Sequence, residues 1–102
     1  MEYEPVAEVT HYYNKIGVAV LALSETIAVG DAIHISGHTT DFCQMIKSMQ
    51  IEHRPINEAH PGDDVALKVL DRVRAGDRVF RISGPDALEF MAKRADASTV
   101  FA

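Results

Sequence analysis

Apolar residues that alternate with polar ones recur along most of the chain, and this period of two is typical of β-strands with one buried face. The alternation places Ile33 and Ile35 on one face and His34, between them, on the other. Further along, Val65, Leu67 and Val69 repeat the pattern. The sequence therefore predicts an all-β protein.

Other strand-like segments are rich in Val, Leu and Ile. They are Val6–Tyr13, Ile16–Leu23, Phe42–Ile51 and Val79–Ile82. Asn14 and Lys15 separate the first two and suit a tight hairpin, because Asn tolerates positive φ, and Pro55 follows the third as a breaker. Six or seven short strands divided by turn signals predict a small closed antiparallel β-barrel or a sandwich.

A Gly-Asp-x-aliphatic motif occurs at the start of three predicted strands. It reads Gly30-Asp31-Ala32-Ile33, Gly62-Asp63-Asp64-Val65 and Gly76-Asp77-Arg78-Val79. Gly adopts positive φ without a steric penalty, and the Asp carboxylate accepts hydrogen bonds from nearby backbone. A phosphate-binding loop would need more glycines and a following helix, so the motif predicts turns.

The chain after Ser83 has a different pattern. Ser83-Gly84-Pro85-Asp86 resembles the start of a helix, and Leu88, Met91 and Ala95 follow at helical spacing. The pattern predicts a β-barrel domain over residues 1–83 and a C-terminal extension over residues 84–102 with a short helix near 86–94.

Size and composition narrow the class of protein. The chain has 102 residues, 10 Lys and Arg, 15 Asp and Glu, and a formal net charge of −5. Its one cysteine, Cys43, allows no internal disulfide and no Cys-rich zinc module, and favours a reducing, cytoplasmic setting. The longest apolar run, Ile16–Leu23, is too short for a membrane span, so no membrane partner is expected.

The order of these strands and turns resembles domain two of translational GTPases, the β-barrel of elongation factor Tu and its relatives. The resemblance covers about residues 6–82. The chain is also similar to small translation elongation factor-like proteins. It is carried by Val9–Val20, Ile27–Asp31, Ile33–Ile35, Gly37–Phe42, Lys47–Gln50, Met49–His53, Glu58–Asp63, Val65–Leu67 and Val73–Val79. It implies a closed six- to seven-stranded barrel that contacts ribosomal RNA, tRNA or a translation-related protein.

The motifs of GTP binding are absent from the sequence. There is no Gly-x-x-x-x-Gly-Lys-Ser/Thr and no Asp-x-x-Gly. Asn14-Lys15-Ile16-Gly17 imitates a guanine-recognition motif but lacks its final Asp. We therefore expect no GTP and no other cofactor.

Half of the cations lie close together in the sequence, between positions 68 and 81. They are Lys68, Arg72, Arg74, Arg78 and Arg81. Arg binds phosphate through two parallel hydrogen bonds and stacks on bases, so Lys68, Arg72, Arg74 and Arg78 are candidate RNA or partner contacts. The alternative is a solvated rim paired with Glu2, Glu4 and Glu8.

A second group of polar residues lies on two neighbouring segments. The candidates are His34, His38, Thr39, Thr40, Gln50, His53 and Arg54, with Asp41 among them. Their hydroxyl, imidazole and guanidinium groups could line a shallow binding surface. The alternative is a loop whose side chains bond to their own backbone.

The sequence contains neither the ligand spacing of a zinc site nor a catalytic motif that we recognise. His11, His34, His38, His53, His60 and Cys43 are the candidate soft ligands, but none shows a zinc-type spacing on a predicted helix. There is no Gly-x-Ser-x-Gly motif, and a small filled barrel offers little concavity. We expect no metal and no catalytic residues.

The sequence therefore predicts a non-enzymatic module that docks on structured RNA or a translation-related protein. Two alternatives stay open: a protein-interaction or assembly module without an RNA role, and a His/Cys metal-binding protein. The oligomeric state is not determined by the sequence.

Overall fold

The computed structural model describes residues 2–83, and these form ten β-strands. The strands are β1 (Glu2–Tyr13), β2 (Val18–Leu23), β3 (Ile27–Ala28), β4 (Ala32–Ser36), β5 (Asp41–Met45), β6 (Met49–Ile51), β7 (Arg54–Ile56), β8 (Glu58–Ala59), β9 (Asp64–Lys68) and β10 (Arg78–Ser83). The prediction of an all-β fold is confirmed. The predicted helix near 86–94 lies outside the described residues. No helix among residues 2–83 is long and apolar enough to span a membrane.

Eight strands form one antiparallel sheet in the order β5-β4-β10-β1-β2-β9-β6-β7, and β3 pairs with β8 in a second sheet. The prediction of a closed barrel of six or seven strands is wrong, because β5 and β7 are the two edges of the large sheet. Pro55 lies within β7 rather than ending the preceding strand. Proline lacks a backbone N–H, and an edge strand tolerates this loss.

A buried side chain links the edge strand β5 to the chain that follows β9. Gln44 is 3% exposed. Its amide nitrogen donates to the Lys68 carbonyl at 2.9 Å, and its amide oxygen accepts from the Leu70 N–H at 2.8 Å. These two bonds connect the buried amide to the backbone at the end of β9 and just after it.

The core is built mainly from aliphatic residues on one face of each strand. Ile33, Ile35, Val65 and Leu67 are fully buried, and Val69 is nearly so. The faces predicted from the alternation are confirmed, since His34 lies on the other face of β4 and is only half-buried. Fully burying a side chain of this size stabilises the fold by about 1.5–3 kcal/mol.

The three Gly-Asp motifs form turns with the same hydrogen bonds, as predicted. Gly30, Gly62 and Gly76 have φ of 100°, 92° and 96°. In each turn the N–H of the Asp donates to the carbonyl three residues earlier, at 3.0–3.1 Å. The Asp carboxylate accepts the N–H of that same residue at 2.9 Å. The glycine stands at the third turn position, where a type II turn requires positive φ.

Two strand boundaries differ from the predicted ones. The β1–β2 turn spans residues 14–17, and Gly17, with φ of 66°, supplies the positive φ that the sequence pattern assigned to Asn14. The predicted strand Phe42–Ile51 is two strands, β5 and β6, because its first half pairs with β4 and its second half pairs with β9. The strands β3, β7 and β8 have only two or three residues each, so their sequences contain no alternation of apolar and polar residues from which a strand could be predicted.

Candidate functional site

The buried carboxylate of Asp77 joins the loop after β4 to the segment before β10. Asp77 is 5% exposed. It accepts a hydrogen bond from the Thr40 hydroxyl at 2.5 Å and from the Arg74 N–H at 2.9 Å. Two segments that are distant in sequence are thereby held at one end of the sheet.

These two segments form an open pocket of about 240 Å³, which we call the arginine pocket. Its lining residues are Thr39, Thr40, Asp41, Phe42, Asp71, Arg72 and Arg74. Two carboxylates stand beside the two guanidinium groups, so the formal charge of the lining is balanced. The pocket therefore presents charged groups of both signs rather than a strong anion site.

The other predicted cations lie apart from the arginine pocket. Lys68 donates to the Ile16 carbonyl at 2.7 Å and so closes the β1–β2 turn onto β9. Arg78 is exposed on β10, opposite Glu8 in β1. The five cations that are close in sequence thus do not form one patch.

Arg81 links three segments through its guanidinium. It donates to the Thr26 carbonyl at 2.6 Å and to the carboxylate of Glu4, and Asp31 lies 3.6 Å away. The hydrogen bond that Arg81 donates to Glu4 raises the pKa of Arg81, against a smaller lowering by burial, and the charges of Glu4 and Asp31 raise it further. The contact between Arg81 and Glu4 is one of the pairings expected for a rim paired with Glu2, Glu4 and Glu8.

The candidate histidines His34 and His38 do not lie together in one site. His34 lies on the outer face of β4, where its Nε2 is 2.5 Å from Asp41 and its ring lies 5.4 Å from the ring of Tyr3. His38 is exposed in the β4–β5 loop. Within residues 2–83, no group of three His, Cys, Asp or Glu side chains is placed to hold a metal ion.

A second open cavity, of about 490 Å³, lies on the outer face of the other half of the sheet, and we call it the acidic groove. Its lining residues are Tyr13, Val20, Gln50, Ile51, Glu52, His53, Gly62, Asp63, Asp64 and Ala66. The register places Val20 opposite Ala66 and Ala66 opposite Gln50. Small side chains on β2 and β9 therefore form its floor.

The β6–β7 hairpin forms one wall of the acidic groove. Its turn residues Glu52 and His53 have φ of 50° and 65°. A two-residue hairpin of the type I′ form requires positive φ at both positions, which Asn and Gly adopt more readily than Glu and His. The tight turn holds Glu52 and His53 next to the groove.

The charge of the acidic groove is one-sided. Glu52, Asp63 and Asp64 contribute three carboxylates, and no Lys or Arg is among its described lining residues. The Asp63 carboxylate also accepts the His60 N–H at 2.9 Å. The groove therefore combines an apolar floor with a negative rim, which suits a ligand that has an aliphatic part and a positive charge.

The structure divides the predicted site residues between the two cavities. Thr39, Thr40, Arg72 and Arg74 line the arginine pocket, Gln50 and His53 line the acidic groove, and Lys68, Arg78, His34, His38 and Arg54 line neither. The sequence pattern missed Tyr13, Glu52 and Asp64. The adjacent acidic pair Asp63-Asp64 was a signal, but its proximity to Glu52 follows only from the pairing of β6 with β9.

Two curated proteins are similar to the chain in sequence, and both are named as proteolytic enzymes. An uncharacterized protease of Methanocaldococcus jannaschii is 38% identical over 76 residues, which are 74% of this chain and 19% of that protein. A collagenase of Porphyromonas gingivalis is 29% identical over 72 residues, which are 69% of this chain and 20% of that protein. The chain thus spans about a fifth of the length of these relatives. No protein-family model matches it.

Solved structures share the fold. The C-terminal domain of a Geobacillus thermoleovorans protein described as a U32 peptidase superposes with a TM-score of 0.74 at 22% identity, covering 78% of this chain and 93% of that one. The selenomethionine variant of that domain gives a TM-score of 0.72 at 23% identity, covering 74% and 96%.

These comparisons correct the predicted family and function. The sequence relatives are named as a protease and a collagenase, and the solved structures that share the fold are not translation factors, so the predicted resemblance to domain two of translational GTPases is wrong. The predicted translation-type docking module is wrong for the same reason. The prediction that the protein is not an enzyme is contradicted by relatives named as a protease and a collagenase. The Gly-Asp motifs misled because they are turn signals that unrelated β-sheets also need.

Proposed function

We propose that this chain is the C-terminal domain of a U32-type peptidase and that it holds polypeptide substrate for that enzyme. The observation that carries the proposal is the sequence similarity to two proteolytic enzymes, together with a fold shared with a U32 peptidase C-terminal domain. A cytoplasmic setting remains part of the proposal and rests on the single cysteine.

The acidic groove supports a substrate-holding role. It is open along the sheet surface, and its floor of Val20 and Ala66 offers apolar contact to a passing chain. Extended polypeptides bind folded domains through pockets that receive alternate side chains. A groove on a rigid sheet receives such side chains without prior rearrangement.

The arginine pocket is proposed as a second contact for the same polypeptide. Arg72 and Arg74 can each donate two hydrogen bonds to a carboxylate, and the Thr39 hydroxyl lies in the same lining. Because Asp41 and Asp71 balance the charge, we expect this contact to be weaker than the contact at the groove and to fall with salt.

The test uses the 102-residue chain and a reduced, alkylated protein that stays unfolded. We expect binding that shifts the NMR signals of Val20 and Ala66, with a smaller shift at Thr39. The variant Arg72→Gln/Arg74→Gln removes the second shift and leaves the first. Lys47→Gln is the matched control, since Lys47 is exposed and lines neither cavity.

The proposal is wrong if the unfolded protein shifts no NMR signal of the 102-residue chain up to millimolar concentration. Binding of tRNA by the same sample, without binding of polypeptide, also overturns it.

A further inference from the structure

We propose that the acidic groove selects a lysine or arginine side chain of the bound polypeptide. This inference rests on the proposed function and names the substrate class of the same surface. Its basis is the combination of carboxylates from two separate turns, a floor of small apolar residues and an exposed tyrosine at the far end.

The carboxylates converge from two turns. Glu52 belongs to the β6–β7 turn, Asp63 belongs to the turn before β9, and Asp64 is the first residue of β9. The pairing of β6 with β9 brings the two turns to one end of the groove. These three carboxylates are near the solvent. Their attraction for a cationic group is strongest beside the apolar floor, because an apolar surface excludes water and lowers the local dielectric constant.

The floor suits the aliphatic stem of the same side chain. Val20 and Ala66 face each other across β2 and β9 and are half-buried. Lysine and arginine pack their methylene groups on apolar surface and keep the charged end in water. A stem lying on this floor places its charged end between Glu52 and Asp64.

Tyr13 lies at the opposite end of the groove from the carboxylates. Tyr13 pairs with Val18 and Asp64 pairs with Ala22, so the two residues are four positions apart along β2. Four positions of a strand span about 13 Å. Tyr13 is 50% exposed, and the His11 ring packs on it edge-on at 4.3 Å. We expect an apolar residue of the polypeptide to contact this ring.

The test compares four blocked peptides that differ at one central position, which is lysine, arginine, norleucine or glutamate. Binding to the 102-residue chain is measured by NMR at low salt. We expect the lysine and arginine peptides to bind about fivefold more tightly than the norleucine peptide, and the glutamate peptide to bind least. The preference should shrink at high ionic strength.

The variant Glu52→Asn/Asp64→Asn identifies the residues. We expect it to weaken binding of the lysine peptide about threefold, because most of the charge contribution is removed, and to leave the norleucine peptide unchanged. Asparagine suits the positive φ at position 52, so the hairpin is retained. Asp63 is left intact because its carboxylate holds the turn at His60. Glu25→Gln is the matched control, since Glu25 is exposed and lines neither cavity.

Two results overturn the inference, and they are distinguishable. If all four peptides bind with equal affinity, the cation selectivity is wrong while the polypeptide-binding function stands. If none of the peptides binds and the unfolded protein does not bind either, the proposed function is wrong as well. A lysine preference that persists in the Glu52→Asn/Asp64→Asn variant overturns the assignment to this groove.

Discussion

Thr40 donates a 2.5 Å hydrogen bond to the buried carboxylate of Asp77, 37 residues later in the chain. The same carboxylate accepts the Arg74 N–H. The bond thus fixes the relative position of the two segments that line the arginine pocket. A buried polar group without a partner costs about 1–3 kcal/mol, so this link is a sensitive point of the fold.

Replacing Asp77 by alanine should lower the free energy of unfolding by about 3 kcal/mol, because the Thr40 hydroxyl and the Arg74 N–H both lose their acceptor. Thr40→Val should cost less, since Arg74 still donates to Asp77. Urea denaturation measures both. Asp71→Asn, at an exposed carboxylate of the same pocket, should change stability by less than about 0.5 kcal/mol. Equal losses for Asp77→Ala and Asp71→Asn would contradict this account.

Gly37 is required by the close approach of Asp77. A Cβ at position 37 would lie 1.9 Å from Asp77 Oδ1. We expect Gly37→Ala to destabilise the fold by about 1–3 kcal/mol, the range of overpacking substitutions. In the background of Asp77→Ala the same substitution should cost much less. A double-mutant cycle measures this coupling, and additive effects would show that the contact is not the cause.

The β6–β7 turn contains a local conflict between residue type and conformation. His53 has φ of 65°, and a non-glycine residue in the left-handed region costs roughly 1–2 kcal/mol. His53→Gly should therefore stabilise the protein by about 1 kcal/mol and raise the Tm by about 4–8 °C. Calorimetry measures the shift. His38→Gly, in the exposed loop, is the comparison, and an equal gain there would contradict the explanation.

Arg81 contributes through several partners at once. Arg81→Met should cost about 2 kcal/mol, because the Thr26 carbonyl and Glu4 lose a charged donor. Glu4→Gln should cost less than about 1 kcal/mol, since Glu4 is half exposed. Denaturant titrations of the two variants give both values. A Glu4→Gln loss as large as that of Arg81→Met would show that the ion pair alone matters.

The pKa shift of Arg81 gives the pH dependence of this contribution. Because the folded pKa is raised, the stabilisation is fully present below the unfolded pKa and is lost only as the pH rises through the folded one. We therefore expect the difference in stability between the native protein and Arg81→Met to be constant from neutral pH to about pH 10. A loss of that difference within this range would contradict the assignment.

The sequence alone determined the β-class, the inward faces of the strands and the three Gly-Asp turns. The alternation of Ile33, His34 and Ile35 is local, since successive side chains of a strand point to opposite faces. The turns are local as well, because Gly62 and the carboxylate of Asp63 act within four residues. Signals of this kind need no knowledge of the rest of the chain.

The tertiary structure decided the order of the strands, the open rather than closed form of the sheet, and which polar residues lie in contact. Thr40 reaches Asp77, and Glu52 lies at the same end of the groove as Asp64, only because distant strands pair in a particular register. Lys68 and Arg81, which the sequence grouped with Arg72, are bonded instead to Ile16 and Glu4. Pairing between distant strands depends on the burial of the whole core, and no short motif encodes it.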